Sequence, residues 1–259
     1  MSLSETTLSP VRHTVRDLEL LGARSLHALA CLLLLRLRRA AWIRQAFEAG
    51  NRSLVFVAAT MGFIGMIMVL QSGYQAARLI GDYSLIGPAF LQLLVREFAP
   101  TIGALMITTR VGAGIAAEIG SMAVTEQLDA LRMSGADPVE ELMVPRLLAG
   151  LLMVPALTVI GGASAELAGL VTARVAFEVP YATFFSVRMV DAGDIVVGLV
   201  KALTFGAVIP LLSAHAGMQA RRGSEGVGAA TTRAVIHTSV AIIFLDFTIN
   251  VLLYPLYAR

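Results

Sequence analysis

Five charged side chains lie inside segments that are otherwise apolar: Arg96, Glu97, Glu166, Lys201 and Asp246. A charge at the centre of a bilayer costs about 2.5–3.5 kcal/mol even on the lenient insertion scale, so such residues face a partner, a cavity or a substrate path. Arg96 and Glu97 are adjacent and would point about 100° apart on a helix, which prevents an ideal mutual pair. Two interpretations stay open: a polar site on a substrate path, which is favoured, or a structural interhelical salt bridge.

Lys201 and Asp246 carry opposite charges on neighbouring apolar segments. This arrangement predicts a buried ion pair with a structural role. A proton relay is the alternative, although relays usually contain more than one acid along a path. Leu70 and Tyr74 end the first long apolar segment, where a tyrosine is either an anchor at the membrane surface or the mouth of a cavity.

The sequence lacks the common catalytic motifs. It contains no H-E-x-x-H, no G-x-S-x-G and no nucleotide-binding G-x-x-x-x-G-K-[ST], and its only lysine is Lys201. Cys31 is the only cysteine, so no internal disulfide is possible. We therefore predict a chain that is not an enzyme, with no metal site and no cofactor of its own.

The composition indicates an integral membrane protein. Of the 259 residues, 57% are hydrophobic and 15% are charged, whereas soluble domains have about a quarter of their residues charged. Aromatic residues make up only 7% and there are 23 glycines, which favours closely packed helices over an aromatic-girdled barrel. We predict an all-α membrane protein with no nucleic-acid partner.

Five segments are long and apolar enough to span a bilayer. They are Leu54–Gly73, Leu85–Thr109, Leu147–Val171, Ile195–Gly217 and Ala234–Tyr257. The earlier apolar run, Leu26–Leu35, is too short to span and is followed by arginines, which predicts an interfacial amphipathic helix. A signal anchor or a buried helix is the alternative. The chain is thus divided into an N-terminal arm, residues 1–53, and a membrane domain, residues 54–259.

Arginine is unevenly distributed about these segments. The N-terminal arm and the second and fourth loops hold most of the arginines, which by the positive-inside rule places them in the cytoplasm. Five spans then put the C-terminus on the opposite side. The loop after the second span is expected to face the cytoplasm.

That loop belongs to a polar, acid-rich segment, residues 113–146. Gly135 predicts a break, and Asp137–Pro138 predicts the start of a second short helix, since Asp is a good cap and Pro a good first-turn residue. A helix–turn–helix at the membrane surface suits docking of a cytoplasmic partner. An ordinary solvated loop is the alternative.

The ordered motifs of this chain resemble those of the MlaE/YrbE permease family, the membrane subunits of MCE-linked ABC lipid transporters. The resemblance covers roughly residues 53–257. The motifs that carry it are Arg96-Glu97-x-x-Pro100, Arg110-x-Gly112, Ala117-Glu118-Ile119-Gly120, Thr125-Glu126-Gln127-Leu128, Asp137-Pro138, Pro145-Arg146, Thr232-Arg233-x-Val235-x-His237 and Leu245-Asp246-Phe247.

The resemblance implies a homodimer in the bacterial inner membrane, with two cytoplasmic ATPase subunits that bind ATP and Mg²⁺ and a periplasmic MCE-domain oligomer. It implies that phospholipid occupies a cavity at the dimer interface. Ala117–Met133 would be the coupling helix that rests on the ATPase. The implied cavity residues are Leu70, Tyr74, Arg96 and Glu97, and the implied coupling residues are Glu118, Glu126, Asp129 and Arg132. Two rival interpretations stay open: a stand-alone secondary transporter that uses Lys201, Asp246 and Glu97 for ion coupling, and a non-transporting membrane scaffold or lipid-modifying enzyme.

Overall fold

The computed structural model describes residues 17, 19–31, 39–79, 82–221 and 223–257. These residues form helices and their connections, with no strand among them. Five of the helices are long and apolar enough to cross a membrane, which confirms the predicted all-α integral membrane fold. We number the helices α1 (19–31), α2 (Arg39–Leu79), α3 (Ile86–Val124), α4 (Gln127–Met133), α5 (Val139–Phe177), α6 (Tyr181–Phe184), α7 (Ala192–Met218) and α8 (Gly223–Tyr257).

The spanning helices extend well beyond their apolar cores. Helix α2 begins at Arg39 rather than at the predicted Leu54, and α8 begins at Gly223 rather than at Ala234. Hydropathy detects the part of a helix that suits a bilayer, whereas backbone hydrogen bonding continues through the polar turns on either side. The predicted boundary between residues 53 and 54 therefore lies inside α2.

The polar segment between the second and third spans differs from its predicted form. Residues 113–124 continue α3, and the chain then breaks at Glu126, which has a left-handed φ of 59°. The segment Ala117–Met133, which the resemblance implies as the coupling helix, thus consists of the end of α3, a turn and α4, and α4 alone lies between the two spans. Left-handed backbone at a non-glycine residue carries little sequence signal, so the break could not be predicted from the motif.

The predicted second short helix is the first part of α5. Gly135 has the positive φ (78°) expected of a break, and Asp137 Oδ1 accepts a hydrogen bond from Val139 N at 2.9 Å. The helix that starts there does not stop, however, and continues to Phe177. The Asp-Pro signal identified a helix start correctly but gave no information on helix length.

Helices α2 and α5 pack closely, and α7 crosses α5. A Cβ atom added at Gly65 would lie 2.2 Å from the Ala165 carbonyl oxygen, and one at Gly150 would lie 2.2 Å from the Gly206 carbonyl oxygen. Only glycine allows such close approach of two helix backbones. The apolar core between the helices contains Val57, Met61, Phe90, Leu94, Leu157, Phe205 and Ile209.

Helix α1 lies outside the five spans and packs across one end of them. Ala28 and Cys31 are buried against residues of α3, α5 and α7, among them Ile119, Met143 and Leu211. Leu26, on the other side of α1, is 70% exposed. This amphipathic pattern fits the predicted interfacial helix, Leu26–Leu35, of which residues 32–35 lie outside the described residues. We call this end of the bundle, which also carries α4, the α4 end.

Helix α8 leaves a continuous apolar face uncovered. Val240, Phe244, Phe247 and Val251 recur at helical spacing, and each is more than half exposed. In a membrane protein such a face lies against lipid or against another protein chain. The four residues are on the helix that also carries Asp246.

Candidate functional site

Arg96 and Glu97 lie in a π-helical segment of α3, Leu94–Ile102. Pro100 within the segment has no N–H to donate, and widened π turns occur where a helix accommodates such a defect, frequently at functional sites. Both charged side chains are about three-quarters buried. Their closest mutual contact, Arg96 Nε to Glu97 Oε1, is 3.5 Å, so they do not form the short bidentate pair of a strong salt bridge.

Lys201 of α7 is the centre of the buried charge cluster. Its Nζ lies 2.6 Å from Glu97 Oε2 and 2.8 Å from Asp246 Oδ1, and its side chain is fully buried. The structure thus contains the Lys201–Asp246 ion pair expected from the sequence and adds Glu97 to it. Three spanning helices, α3, α7 and α8, meet at one ammonium group.

Two neutral side chains donate further hydrogen bonds to the two carboxylates. Thr101 Oγ1 donates to Asp246 Oδ1 at 2.7 Å, and Asn250 Nδ2 donates to Glu97 Oε2 at 3.3 Å. A buried ion pair is favourable only when its remaining hydrogen-bonding capacity is also satisfied. The sequence did not indicate Thr101 or Asn250, because neither is charged and the rotation of each helix cannot be read from its composition.

Arg96 extends the cluster towards the start of α7. Its Nη1 lies 3.9 Å from Oδ1 of Asp194, which is 1% exposed. Asp194 Oδ2 accepts hydrogen bonds from Gln92 Nε2 and from the backbone N–H of Asp191, both at 3.1 Å, the second as part of a capping box. The sequence analysis missed Asp194 because it began the fourth span one residue later; the D-x-x-D spacing at a helix start was the available signal.

A glycine sets the distance between the two helices that carry this cluster. A Cβ atom at Gly198 of α7 would lie 2.4 Å from the Val95 carbonyl oxygen. Gly198 precedes Lys201 by one helical turn, and Val95 precedes Glu97 by two residues. The close backbone contact therefore holds Lys201 within hydrogen-bonding distance of Glu97.

Leu70 and Tyr74, the other two predicted cavity residues, lie near the C-terminal end of α2, away from the α4 end of the bundle. Leu70 is partly buried, whereas Tyr74 is 57% exposed, and its ring packs edge-on against Phe177 of α5 at 5.6 Å between centroids. Such a position fits either an anchor at the membrane surface or the mouth of a cavity completed by another chain. Their role stays a prediction.

Glu166 of α5 contrasts with the paired charges. It is 5% exposed, and neither carboxyl oxygen has a hydrogen-bond partner among the described residues. It lines an otherwise apolar cavity of 340 Å³ between α3, α5 and α7, with Leu94, Pro155 and Leu199 among its neighbours. A buried polar group without a partner is costly, so this residue is the least satisfied charge of the described membrane region.

The predicted coupling residues divide between two places at the α4 end. Glu126, Asp129 and Arg132 are exposed on or beside α4, and Arg132 Nη1 lies 2.6 Å from Asp129 Oδ1. Leu128 is buried and anchors α4, while Met133 is 89% exposed at its end. Surface pairs of this kind contribute little stability, which leaves these charges available to another molecule.

Glu118 lies on α3 and not on α4. Its Oε2 is 2.7 Å from Nη2 of the buried Arg146 of α5, whose Nη1 also donates to the Leu142 carbonyl oxygen. The pair fixes the end of α3 against the start of α5, on either side of α4. A coupling role for Glu118 would therefore act through the position of α4.

A charged cleft lies beside α4. Its described lining includes Arg24, Arg132, Arg221 and Arg233, and Asp17 and Glu225 are the acidic residues of that described lining. Burial, and secondarily the neighbouring Arg132, lowers the pKa of Arg24 below its ordinary value. Cations crowded in this way attract an acidic partner.

Comparison with known proteins identifies the family. Residues 42–252 match the family described as Permease MlaE, which is most of the chain. The chain belongs to the MlaE permease family.

Relatives in this family come from diverse organisms. The chain is 33% identical to a probable ABC transporter permease protein of Rickettsia typhi over 248 residues, 94% of this chain and 95% of the relative. It is 31% identical to the intermembrane phospholipid transport system permease protein MlaE of Haemophilus influenzae over 215 residues, 82% of each chain. It is also 34% identical to the chloroplastic protein TRIGALACTOSYLDIACYLGLYCEROL 1 of Arabidopsis thaliana over 212 residues, 80% of this chain and 60% of the plant protein.

Membership of the MlaE permease family establishes what kind of protein this chain is. The chain is a multi-pass membrane protein and a non-catalytic membrane subunit of a transporter. The predicted membership is thereby confirmed.

Proposed function

We propose that this chain is the permease of an ABC transporter that moves phospholipid between the bacterial inner membrane and a periplasmic MCE-domain protein, and so supports lipid asymmetry or lipid traffic in the cell envelope. Membership of the MlaE permease family is the observation that carries the proposal. The name of the Haemophilus relative supports phospholipid as the substrate class.

The α4 end is the proposed docking site for two cytoplasmic ATPase subunits, which would bind ATP and Mg²⁺. Helix α4 lies between two spans, its acidic residues are exposed, and the cationic cleft lies beside it. The exposed Met133 offers an apolar contact at the end of the helix. Under this proposal, residues 1–53 form the cytoplasmic arm. Residues 54–259 form the membrane domain, and the periplasmic partner binds on the opposite side of the membrane from the ATPase subunits.

The uncovered face of α8 supports a homodimer. Its exposed Val240, Phe244 and Phe247 can pack against a second copy and line an apolar space for lipid tails. Asp246 lies on the same helix, which brings the charge cluster close to that surface. We therefore place the lipid cavity between two copies of α8, with Leu70 and Tyr74 of α2 towards its outer end.

Arg96 is the proposed contact for the lipid headgroup. It retains 25% of its side-chain exposure, and a guanidinium binds phosphate through charge-assisted hydrogen bonds. Glu97, Lys201 and Asp246 satisfy one another, so their proposed role is to hold α3, α7 and α8 in register around the cavity.

Purification of the tagged chain from its native membrane in mild detergent, with mass spectrometry of bound proteins and lipids, tests the function. We expect an ABC ATPase, an MCE-domain protein and phospholipid. Arg96→Ala should reduce the bound phospholipid, whereas the control Arg188→Ala, in an exposed connection before α7, should not. Failure to recover an ATPase in several mild detergents would contradict the proposal; unchanged lipid with Arg96→Ala would remove Arg96 from it.

One observation favours a second candidate, an ion-coupled secondary transporter. Two carboxylates contact Lys201, and proton relays use such clusters of acids. This candidate predicts transport that needs an ion gradient and no ATP. Lipid transfer by reconstituted permease without an ATPase, abolished by an ionophore, would favour it.

A further inference from the structure

A cluster of metal-binding side chains joins α1 to the beginning of α5. His27 and Cys31 are four residues apart on α1 and therefore share one face of the helix. Glu140 comes from the first turn of α5, 109 positions along the chain from Cys31. One donor atom from each of the three residues lies within 4.8 Å of the other two.

The contacts within the cluster already bring the donor atoms together. Cys31 Sγ lies 3.4 Å from Glu140 Oε1, and His27 Nε2 lies 3.1 Å from Asp137 Oδ2. Cys31 is 5% exposed, whereas the side chains of His27 and Asp137 are 48% and 41% exposed. One side of the cluster is thus closed by protein, and the other is open for an ion to enter.

We propose that His27, Cys31 and Glu140 bind a divalent transition-metal ion of the zinc class. Thiolate and imidazole ligands select zinc-like ions over magnesium or calcium, which prefer oxygen alone. In a tetrahedral zinc site the ligand atoms lie roughly 3.5 Å apart. The donor atoms of this cluster would therefore have to move about 1 Å closer together, which side-chain rotation allows.

The charges and the surroundings fit this ion. A thiolate and a carboxylate balance two positive charges, and the thiol proton leaves for solvent when the metal binds. Asp137 supplies the outer partner that orients the imidazole, as carboxylates commonly do beside metal-binding histidines. Water completes the coordination from the open side.

The bound ion fastens the N-terminal helix to the segment that follows α4. Asp137 and Glu140 come shortly after Met133, the last residue of α4. Restraint at this junction limits how far α4 can move relative to α1. The metal site itself does not depend on the proposed function. Only an effect of the metal on ATPase coupling would depend on it.

Titration of the purified, metal-free chain with Co²⁺ tests the proposal, because Co²⁺ bound to thiolate gives a charge-transfer absorption band. Cys31 is the only cysteine, so any such band must come from it. We expect a saturable band at one Co²⁺ per chain, displaced by Zn²⁺, together with a rise in the melting temperature on addition of Zn²⁺.

Variants separate a built site from a thiol that binds metal by chance. Cys31→Ser should remove the band, His27→Ala and Glu140→Gln should each weaken Co²⁺ binding at least about 10-fold, and Asp137→Asn should weaken it by roughly 10-fold. His237→Ala, which changes an exposed histidine of α8, should have no effect. The melting temperature of each variant without metal shows whether it folds. A folded wild-type chain without the band, or a band unchanged by loss of His27 and Glu140, would overturn the proposal.

Discussion

The charge cluster inside the membrane region and the charges of α4 follow opposite rules. Lys201 is fully buried and contacts carboxylates from two other helices, so each charge is satisfied within the chain. Asp129 and Arg132 are more than half exposed and, among the described residues, form an ion pair only with each other. Buried charges must be satisfied by the fold itself, whereas exposed charges are available to a partner. Position thus separates the charges that join helices of the permease from the charges that we propose as contacts for other subunits.

Loss of Lys201 should have the largest effect on stability of the changes considered for these two regions. Lys201→Met leaves Asp246 without its cation and Glu97 with only the longer contact to Arg96, and we expect unfolding to become easier by about 3–5 kcal/mol. Thermal unfolding in detergent measures the effect. The triple variant Lys201→Met, Glu97→Gln, Asp246→Asn removes the three charges that meet at Lys201 and should recover most of that stability. Equal instability of both variants would show that packing, not charge, is responsible.

Gly198 tests whether close helix approach maintains the cluster. Gly198→Val places side-chain atoms against the Val95 carbonyl oxygen, and overpacking of this kind costs about 1–3 kcal/mol. Gly114→Val, at a helical glycine with open space around it, is the control and should have a smaller effect. Equal melting temperatures for the two variants would contradict the proposed role of Gly198.

Glu166 sharpens the comparison, because it is buried but lacks a partner among the described residues. Glu166→Met, of similar volume, should stabilise the chain by about 1–3 kcal/mol by removing an unsatisfied polar group. Glu97→Met removes a paired carboxylate and should destabilise it. If both substitutions destabilise the chain in thermal unfolding, Glu166 has a partner that the single chain does not provide.

The exposed charges of α4 should have the smallest effect on stability. Glu126→Lys combined with Asp129→Lys should change the free energy of unfolding by no more than about 0.5 kcal/mol, since neither residue is buried. The same variant should weaken ATPase binding and stimulated ATP turnover. Glu178→Lys, exposed beyond the other end of α5, is the control. Normal ATP turnover in the double variant would remove these residues from coupling.

The fold was more predictable than the details of its site. Long apolar runs identified all five spans, and opposite charges on neighbouring spans predicted the Lys201–Asp246 pair. The sequence could not show that Glu97 shares that lysine, because the rotation of α3 depends on a π-helical segment. Nor could it show the contact of Cys31 with Glu140, since residues so far apart in the chain meet only through the tertiary fold.

Errors in the polar segment have a local cause. The resemblance implied a coupling helix over Ala117–Met133, and the chain is helical on both sides of Glu126. The left-handed turn at Glu126 separates the end of a span from α4, and no glycine marks it. Glu118 was consequently grouped with α4, although it pairs with Arg146 on α5.

Site-directed crosslinking tests the central claim most directly, namely that α4 couples this permease to an ATPase. On a Cys31→Ser background, Met133→Cys places a thiol at the exposed end of α4, and Val187→Cys places one at an exposed position before α7. The account predicts that, in the purified complex, a thiol-to-amine crosslinker joins Met133→Cys to the ATPase chain and that the yield changes when ATP binds, while Val187→Cys gives no such product. Crosslinking of the ATPase at Val187→Cys but not at Met133→Cys would contradict it.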